Sequence, residues 1–197
     1  TELPSKLSQL ISFDIAQNIF LRYCPSCYSP IPNQPPLSLI AVGKHPADGN
    51  RSFGPIRGAL YGGRGYALEA NDQIACIAMI ETAEGIANAD EIMSTSGLNG
   101  IYIGPADLAL SMGLPAMGDQ PQDEHLVVVK ELLEKCKAHK IAAGIHTSSL
   151  EYAQKYLALG FNFVTLGSES GHMAKNAARE LAAARGTAEA KRESTGY

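Results

Sequence analysis

A chain of 197 residues with 45% hydrophobic and 18% charged residues is long enough to bury one sizeable core. A formal charge of -4, a pI near 5.7 and a mean hydropathy of -0.06 give no electrostatic reason to expect nucleic acid or an anionic membrane as partner. No apolar run approaches the ~20 residues of a membrane span, and the first residues lack the basic, apolar and small-residue succession of a secretory leader, so a cytoplasmic protein is expected.

In chain order, residues 1–22 carry a helical pattern, with Leu7, Leu10, Ile11, Ile15 and Ile19 at spacings of three and four and Ser5 placed to cap it. Residues 23–50 hold Pro25, Pro30, Pro32, Pro35, Pro36 and Pro46 with no sustained period, which reads as an irregular segment in which only Leu37 to Val42 suits a strand. Cys24-Pro-Ser-Cys27 has the spacing of a zinc half-site or a redox pair. A second pair is missing for zinc, and no βαβ pattern surrounds it for a redox motif, so two ordinary thiols are the plainer reading. With Cys76 and Cys136 inside predicted elements, the four cysteines do not form a disulfide framework. Arg51 to Gly65 is a glycine-rich loop with three arginines; it reads as an anion-facing loop or as a long turn with solvated charges, and no phosphate-loop lysine accompanies it.

Tyr66 to Asp72 suits a short helix. Ile74 to Ile80 is then a short apolar run without polar alternation, the pattern of a strand covered on both faces, and Glu81 ends it. Ala83 to Met93 places Ile86, Ala89, Ile92 and Met93 on one helical face, with Thr82 as N-cap and Gly97 as terminator. Gly100 to Ile103 is a second buried strand, and Gly104-Pro105 turns the chain so that Asp107 follows just past its end. Strand, helix and strand in about thirty residues make a βαβ unit with parallel strands. Glu81 and Asp107 therefore land side by side on the edge of the sheet where α/β folds hold their chemistry.

Leu108 to Met112 suits a helical turn and Gly113 to Asp123 a loop. Glu124 to His139 suits a helix with Leu126, Val129, Leu132, Leu133 and Cys136 inward. Ile141 to Ile145 suits a third strand with His146 at its end, Ser148 to Leu159 a helix closed by Gly160, Phe161 to Leu166 a fourth strand, and His172 to Arg185 an alanine-rich helix before a polar tail. Four strands alternating with helices predict an α/β, TIM-barrel-like (β/α) fold, and specifically the C-terminal half of a (β/α)8 barrel, since a whole barrel typically needs about 250 residues. A doubly wound open sheet is the competing architecture; no GxGxxG follows the first strand. Two carboxylates on adjacent strand ends suit a hard cation such as Mg²⁺ or Mn²⁺, and equally describe ordinary polar strand ends or a helix cap.

IAMIETAEGIANADEI followed by GLNGIYIGPADLALSMG resembles the signature of the HpcH/HpaI aldolase/citrate lyase family, the class II pyruvate aldolases. GNRSFGPIRG resembles its arginine and glycine loop, and AAGIHTSS and FNFVTLGSES fit its last two strands, so the likeness covers about residues 45–185. It implies three regions: a divergent segment 1–44, a partial aldolase-like domain 45–185 and a polar tail 186–197.

The resemblance also implies an activity. A divalent metal (Mg²⁺ or Mn²⁺) held by Glu81 and Asp107 would stabilise the enolate left when a 4-hydroxy-2-oxo acid is cleaved to pyruvate and an aldehyde. Gly104, Pro105, Ala106, Asp107 and Arg57 would contact the small 2-oxo acid substrate, with backbone N–H groups at Ala106 and Asp107 on its carboxylate. No lysine falls at a strand end, which disfavours a Schiff-base aldolase. A homo-oligomer is compatible with the family.

Three departures stand beside this. Residues 1–44 do not match the family's first half, where a histidine–acid pair and an arginine serve proton transfer and the keto oxygen; His45-Pro46-Ala47 replaces the usual Tyr-Pro-Pro; and Met79 stands where relatives often have glutamine. The expectation is a truncated or divergent member that keeps the metal half of the site, with a catalytically impaired remnant or oligomer partner as the alternative. His45, His146 and His172 are the remaining candidates for proton transfer, and each reads first as a surface or structural residue.

Overall fold

Apolar strands joined by amphipathic helices can bury both faces only if the helices return each strand parallel to the last. In the computed structural model, which describes Phe20–Leu21, residues 44, 49 and 60, and residues 63–186, the described chain does this. Its elements are β1 (Phe20–Leu21), α1 (Tyr66–Gln73), β2 (Ile77–Ile80), α2 (Ala83–Ala87), α3 (Ala89–Met93), β3 (Gly100–Ile103), α4 (Pro105–Ser111), α5 (Asp123–His139), β4 (Ala142–Thr147), α6 (Leu150–Leu159), β5 (Phe163–Leu166) and α7 (Glu169–Ala184). The sheet order is β1-β2-β3-β4-β5, and every neighbouring pair is parallel.

That order decides between the two architectures. A doubly wound sheet reverses direction at a switch point, whereas a barrel adds each strand beside its predecessor. Here sequence order and spatial order coincide. The fold is the barrel-like one.

Each strand divides its side chains between two faces, as the period of two requires. Ala78, Ile80, Ile101, Ile103, Ala143, Ile145 and Val164 face the helices and join Met93, Leu108, Val129, Leu132, Leu133 and Tyr156 in the larger core. Ile77, Tyr102, Ala142 and Phe163 form a smaller buried cluster on the other face, with Ala75 and Met79 against it. Gly144 leaves room there. A Cβ at that position would collide with the Phe163 ring, so only glycine lets the ring lie across β4.

Loop chemistry fixes the strand starts. The Asn99 side chain accepts from Cys76 N–H at 2.7 Å and the Asn162 side chain from Ala143 N–H at 2.8 Å, so the asparagines preceding β3 and β5 each extend the ladder by one side-chain bond. Thr82 caps α2 through Gly85 N–H at 3.0 Å, and Ser149 and Ser168 accept from the first turns of α6 and α7. Gly160 ends α6 at φ 106, a left-handed conformation that a side chain rarely adopts.

Four expectations need correction. Ala83 to Met93 is not one helix: Asn88, at φ -99 and ψ 13, breaks it into α2 and α3. The strand expected from Ile74 starts at Ile77, because Ile74 N–H bonds Ala70 C=O at 2.9 Å and belongs to the end of α1. His146 lies within β4 rather than beyond it. Phe20–Leu21, at the end of the helical pattern over residues 1–22, pair with Ile77 and Ala78 as a strand. The rest of that pattern, the Leu37 to Val42 strand and Cys24-Cys27 lie outside the described residues. Cys76 is buried, and Cys136 is a buried thiol that burial pushes up to about 12.

His125 on α5 is fully buried at 0% exposure, and neither ring nitrogen has a hydrogen-bond partner among the described residues. Burial holds its pKa below the ordinary imidazole value, with the Lys155 charge adding to the effect and the Pro105 backbone opposing it. Below about pH 6.5 the unfolded chain therefore takes up a proton that the folded chain refuses, so stability falls with falling pH. His146, also depressed by burial, acts in the same direction. Two results are expected. In thermal melts at pH 7.5 and 5.5, His125→Leu loses less stability on acidification than the native chain; an equal loss would contradict the assignment. Leu132→Ala, at 0% exposure, costs about 2–5 kcal/mol in denaturant titration, whereas Val127→Ala on the exposed side of α5 stays within about 0.5 kcal/mol.

Candidate active site

The C-terminal edge of the sheet is organised by register. Ile80 pairs with Ile103 and Ile103 with Ile145, so the next row across the sheet is Glu81, Gly104, His146 and then Thr165, the recorded partner of His146. Gly104 is the one member of this row without a side chain. A Cβ there would stand 2.6 Å from Glu81 Oε2, so the Glu81 carboxylate lies over the Gly104 backbone. Gly104 N–H in turn donates to Ile80 C=O at 3.4 Å.

Pro105 opens α4, where its fixed φ suits the first helical position and its missing N–H leaves nothing unpaired. Asp107 follows in the first turn of that helix. Met79, Glu81, Tyr102, Gly104, Pro105, Ala106, Asp107 and His146 together line one open cavity of ≈ 220 Å³. Thus the structure brings Glu81, Asp107, Gly104, Pro105 and Ala106 together as the sequence predicts. Arg57 and His45 lie outside the described residues, and His172 is at the start of α7, where its Nε2 lies 2.7 Å from Leu166 C=O.

Tyr102 has no role in the sequence reading, and His146 enters it only as one of three proton-transfer candidates that read first as surface or structural residues. Tyr102 OH lies 2.7 Å from Thr165 Oγ1 and 3.1 Å from His146 Nδ1, and Thr165 Oγ1 is 2.8 Å from the same nitrogen. The Tyr102 ring stacks on Phe163 at 6.0 Å and 9° and meets the His146 ring edge-on at 6.5 Å. Burial pushes the Tyr102 phenol up to about 12, with the Thr165 hydrogen bond opposing, and the same cause pushes His146 below the ordinary imidazole value, with Asp119 opposing. Both are therefore neutral near pH 7. Strand parity was the available signal: residues 77, 79 and 81, then 102 and 104, then 144 and 146 share a face, so a glutamate accepted as a site residue at 81 carries Met79, Tyr102 and His146 with it.

Among the described residues no three His, Cys, Asp or Glu side chains cluster as a complete metal cage, so what the chain offers a cation is two carboxylates facing an open space. That donor set suits Mg²⁺ or Mn²⁺, which take one or two carboxylates and fill the remaining positions with water and substrate oxygens. No helix among the described residues is long and apolar enough to cross a membrane.

The HpcH/HpaI aldolase/citrate lyase family profile matches residues 39–176. The chain is 39% identical over 137 residues to a hydroxypyruvate/pyruvate aldolase of Rhizorhabdus wittichii, a match covering 70% of this chain and 55% of that one. It is 32% identical to a 4-hydroxy-2-oxovalerate aldolase of Rhodococcus jostii, covering 70% and 53%. Among solved structures, an HpcH/HpaI aldolase/citrate lyase family protein of Burkholderia cenocepacia superposes with a TM-score of 0.63 at 27% identity, covering 74% of this chain and 58% of that one. The chain thus spans a little over half the length of these relatives. On the profile match across the βαβ unit that carries Glu81 and Asp107, the chain belongs to the HpcH/HpaI aldolase/citrate lyase family.

Proposed function

We propose that the chain is a metal-dependent carbon–carbon lyase that cleaves a 4-hydroxy-2-oxo acid to pyruvate and an aldehyde. The observation that carries this reading is the meeting of Glu81 and Asp107, from the ends of adjacent parallel strands, in one cavity. The names of the relatives, which are pyruvate and hydroxy-oxo acid aldolases, support the reaction class.

Glu81 and Asp107 are the residues that would hold the cation. When bound, the cation supplies Lewis-acid polarisation of the 2-oxo and carboxylate oxygens. The remaining work belongs to the chain itself. Gly104 keeps the space beside the Glu81 carboxylate clear of a side chain. The first free donors of α4 are the N–H groups of Ala106 and Asp107, because Pro105 has none, and they orient the substrate carboxylate. Met79 supplies an apolar wall. No lysine lines the cavity among the described residues, which argues against a Schiff-base route.

A remnant that binds metal and 2-oxo acid but does not turn over shares the fold and both carboxylates, so binding and turnover are measured separately. Mn²⁺ with pyruvate raises the melting midpoint of the native chain, since a ligand that binds only the folded state must stabilise it. Glu81→Gln abolishes that shift, and Gly104→Ala, whose Cβ would stand 2.6 Å from Glu81 Oε2, reduces it. Pyruvate release from a 4-hydroxy-2-oxo acid stops on chelation, returns with Mg²⁺ and falls about 10²-fold or more in Glu81→Gln. A shift without turnover would establish the remnant, and neither shift nor turnover would remove the enzyme reading.

A further inference from the structure

Cleavage of a 4-hydroxy-2-oxo acid involves two groups of oxygens. The 2-oxo and carboxylate oxygens meet the carboxylate side of the cavity, but the 4-hydroxyl, which becomes the aldehyde oxygen, needs its own partner. Such a partner must stand on the far side of the substrate from Glu81 and be held rigidly.

His146 meets both conditions. It lies in the same register row as Glu81 with Gly104 between them, on β4, beyond the strand that leads to Asp107, and it lines the same cavity. Its ring is fixed from behind: Nδ1 is 2.8 Å from Thr165 Oγ1 and 3.1 Å from Tyr102 OH, Tyr102 stacks on Phe163, and Phe163 lies across Gly144. Among the described residues its hydrogen bonds all fall on Nδ1, which leaves Nε2 for the cavity that the residue lines. Two hydroxyl groups press on Nδ1. When one hydroxyl donates to the other and that one donates to Nδ1, Nδ1 accepts and the proton of the neutral ring sits on Nε2.

We propose that His146 is a catalytic residue that donates a hydrogen bond from Nε2 to the 4-oxygen of the substrate, with Tyr102 and Thr165 as positioning residues that hold its tautomer. The inference rests on the lyase reading given above. In the cleavage direction the C4 hydroxyl gives its proton to water, the oxygen's electron pair forms the aldehyde C=O, and the C3–C4 bond breaks with its electrons left on the pyruvate fragment, which takes a proton from water at C3. His146 keeps its own proton throughout and stabilises the negative charge on the 4-oxygen. A neutral imidazole suits this role, because burial holds the ring in the uncharged form. Among the described residues the charged groups nearby are Glu81 and Asp107 in the cavity and, just after β4, Asp119, which accepts from Ser148 N–H, and Lys175, whose Nζ lies 3.4 Å from Ser148 C=O.

The test compares two substrates that differ at this one oxygen. Oxaloacetate loses CO₂ by the same electron flow into the pyruvate fragment but has no 4-hydroxyl. His146→Leu is expected to lower kcat for pyruvate release from a 4-hydroxy-2-oxo acid about 10²-fold while changing oxaloacetate decarboxylation less than about threefold. His146→Gln, whose side-chain amide can still donate, recovers at least a tenth of the lost rate. The melting shift with Mn²⁺ and pyruvate stays at the native value in His146→Leu, which shows that the variant is folded and its carboxylate side intact. Nitrogen-15 spectra of the native chain place the ring proton on Nε2. Equal loss of both activities, loss of neither, or a proton on Nδ1 would overturn the role of His146 and leave the lyase reading standing. Absence of turnover of either substrate by the native chain would overturn both.

Discussion

The parallel register between β2, β3 and β4 is the constraint on which the rest of the site depends. It places Glu81, Gly104 and His146 in one row at the C-terminal edge of the sheet, and it puts Asp107 a single helical turn away. A slip of one residue in any of these pairings would turn an alternate set of side chains to the opposite face. Burial prevents that slip, because Ile80, Ile101, Ile103 and Ile145 are essentially inaccessible on the helix side.

Two cores hold this register in different ways. On the helix side, aliphatic side chains from the strands pack against Leu108, Val129, Leu132 and Tyr156, and the stability of the sheet is an ordinary consequence of burying them. On the other face the cluster is aromatic and partly polar. Phe163, seated across Gly144, fixes Tyr102, and Tyr102 and Thr165 fix His146. The inner face therefore serves positioning as much as stability, and its hydrogen bonds lead directly to the cavity.

The cavity itself is asymmetric. Its β2–β3 side carries carboxylates and the free N–H groups of a helix start, which suits a cation and an anionic 2-oxo acid. Toward β4 stand the neutral imidazole of His146 and, reaching across from β3, the neutral phenol of Tyr102, which suit a polar uncharged group. Membership of the HpcH/HpaI aldolase/citrate lyase family fits the first side, and the second distinguishes the wall against which the remainder of a substrate would lie.

The sequence by itself determined the βαβ unit, the positions of Glu81 and Asp107 at strand ends and the family, because apolar runs, a Thr cap and a Gly-Pro turn are local signals that survive without a structure. It left the choice between barrel and doubly wound sheet open, since both have the same alternation of strand and helix, and only the spatial strand order decides. It also left His146 as one of three proton-transfer candidates that read first as surface or structural residues. Its cavity role depends on contacts with Tyr102, 44 positions away, and Thr165, 19 positions away, and a hydrogen bond between distant strands has no signature in either strand alone. Asn88 shows the same limit: Ala83 to Met93 has one continuous helical face in sequence, yet the backbone at Asn88 divides it into α2 and α3, with Gly85, Ala89 and Met93 buried across the break.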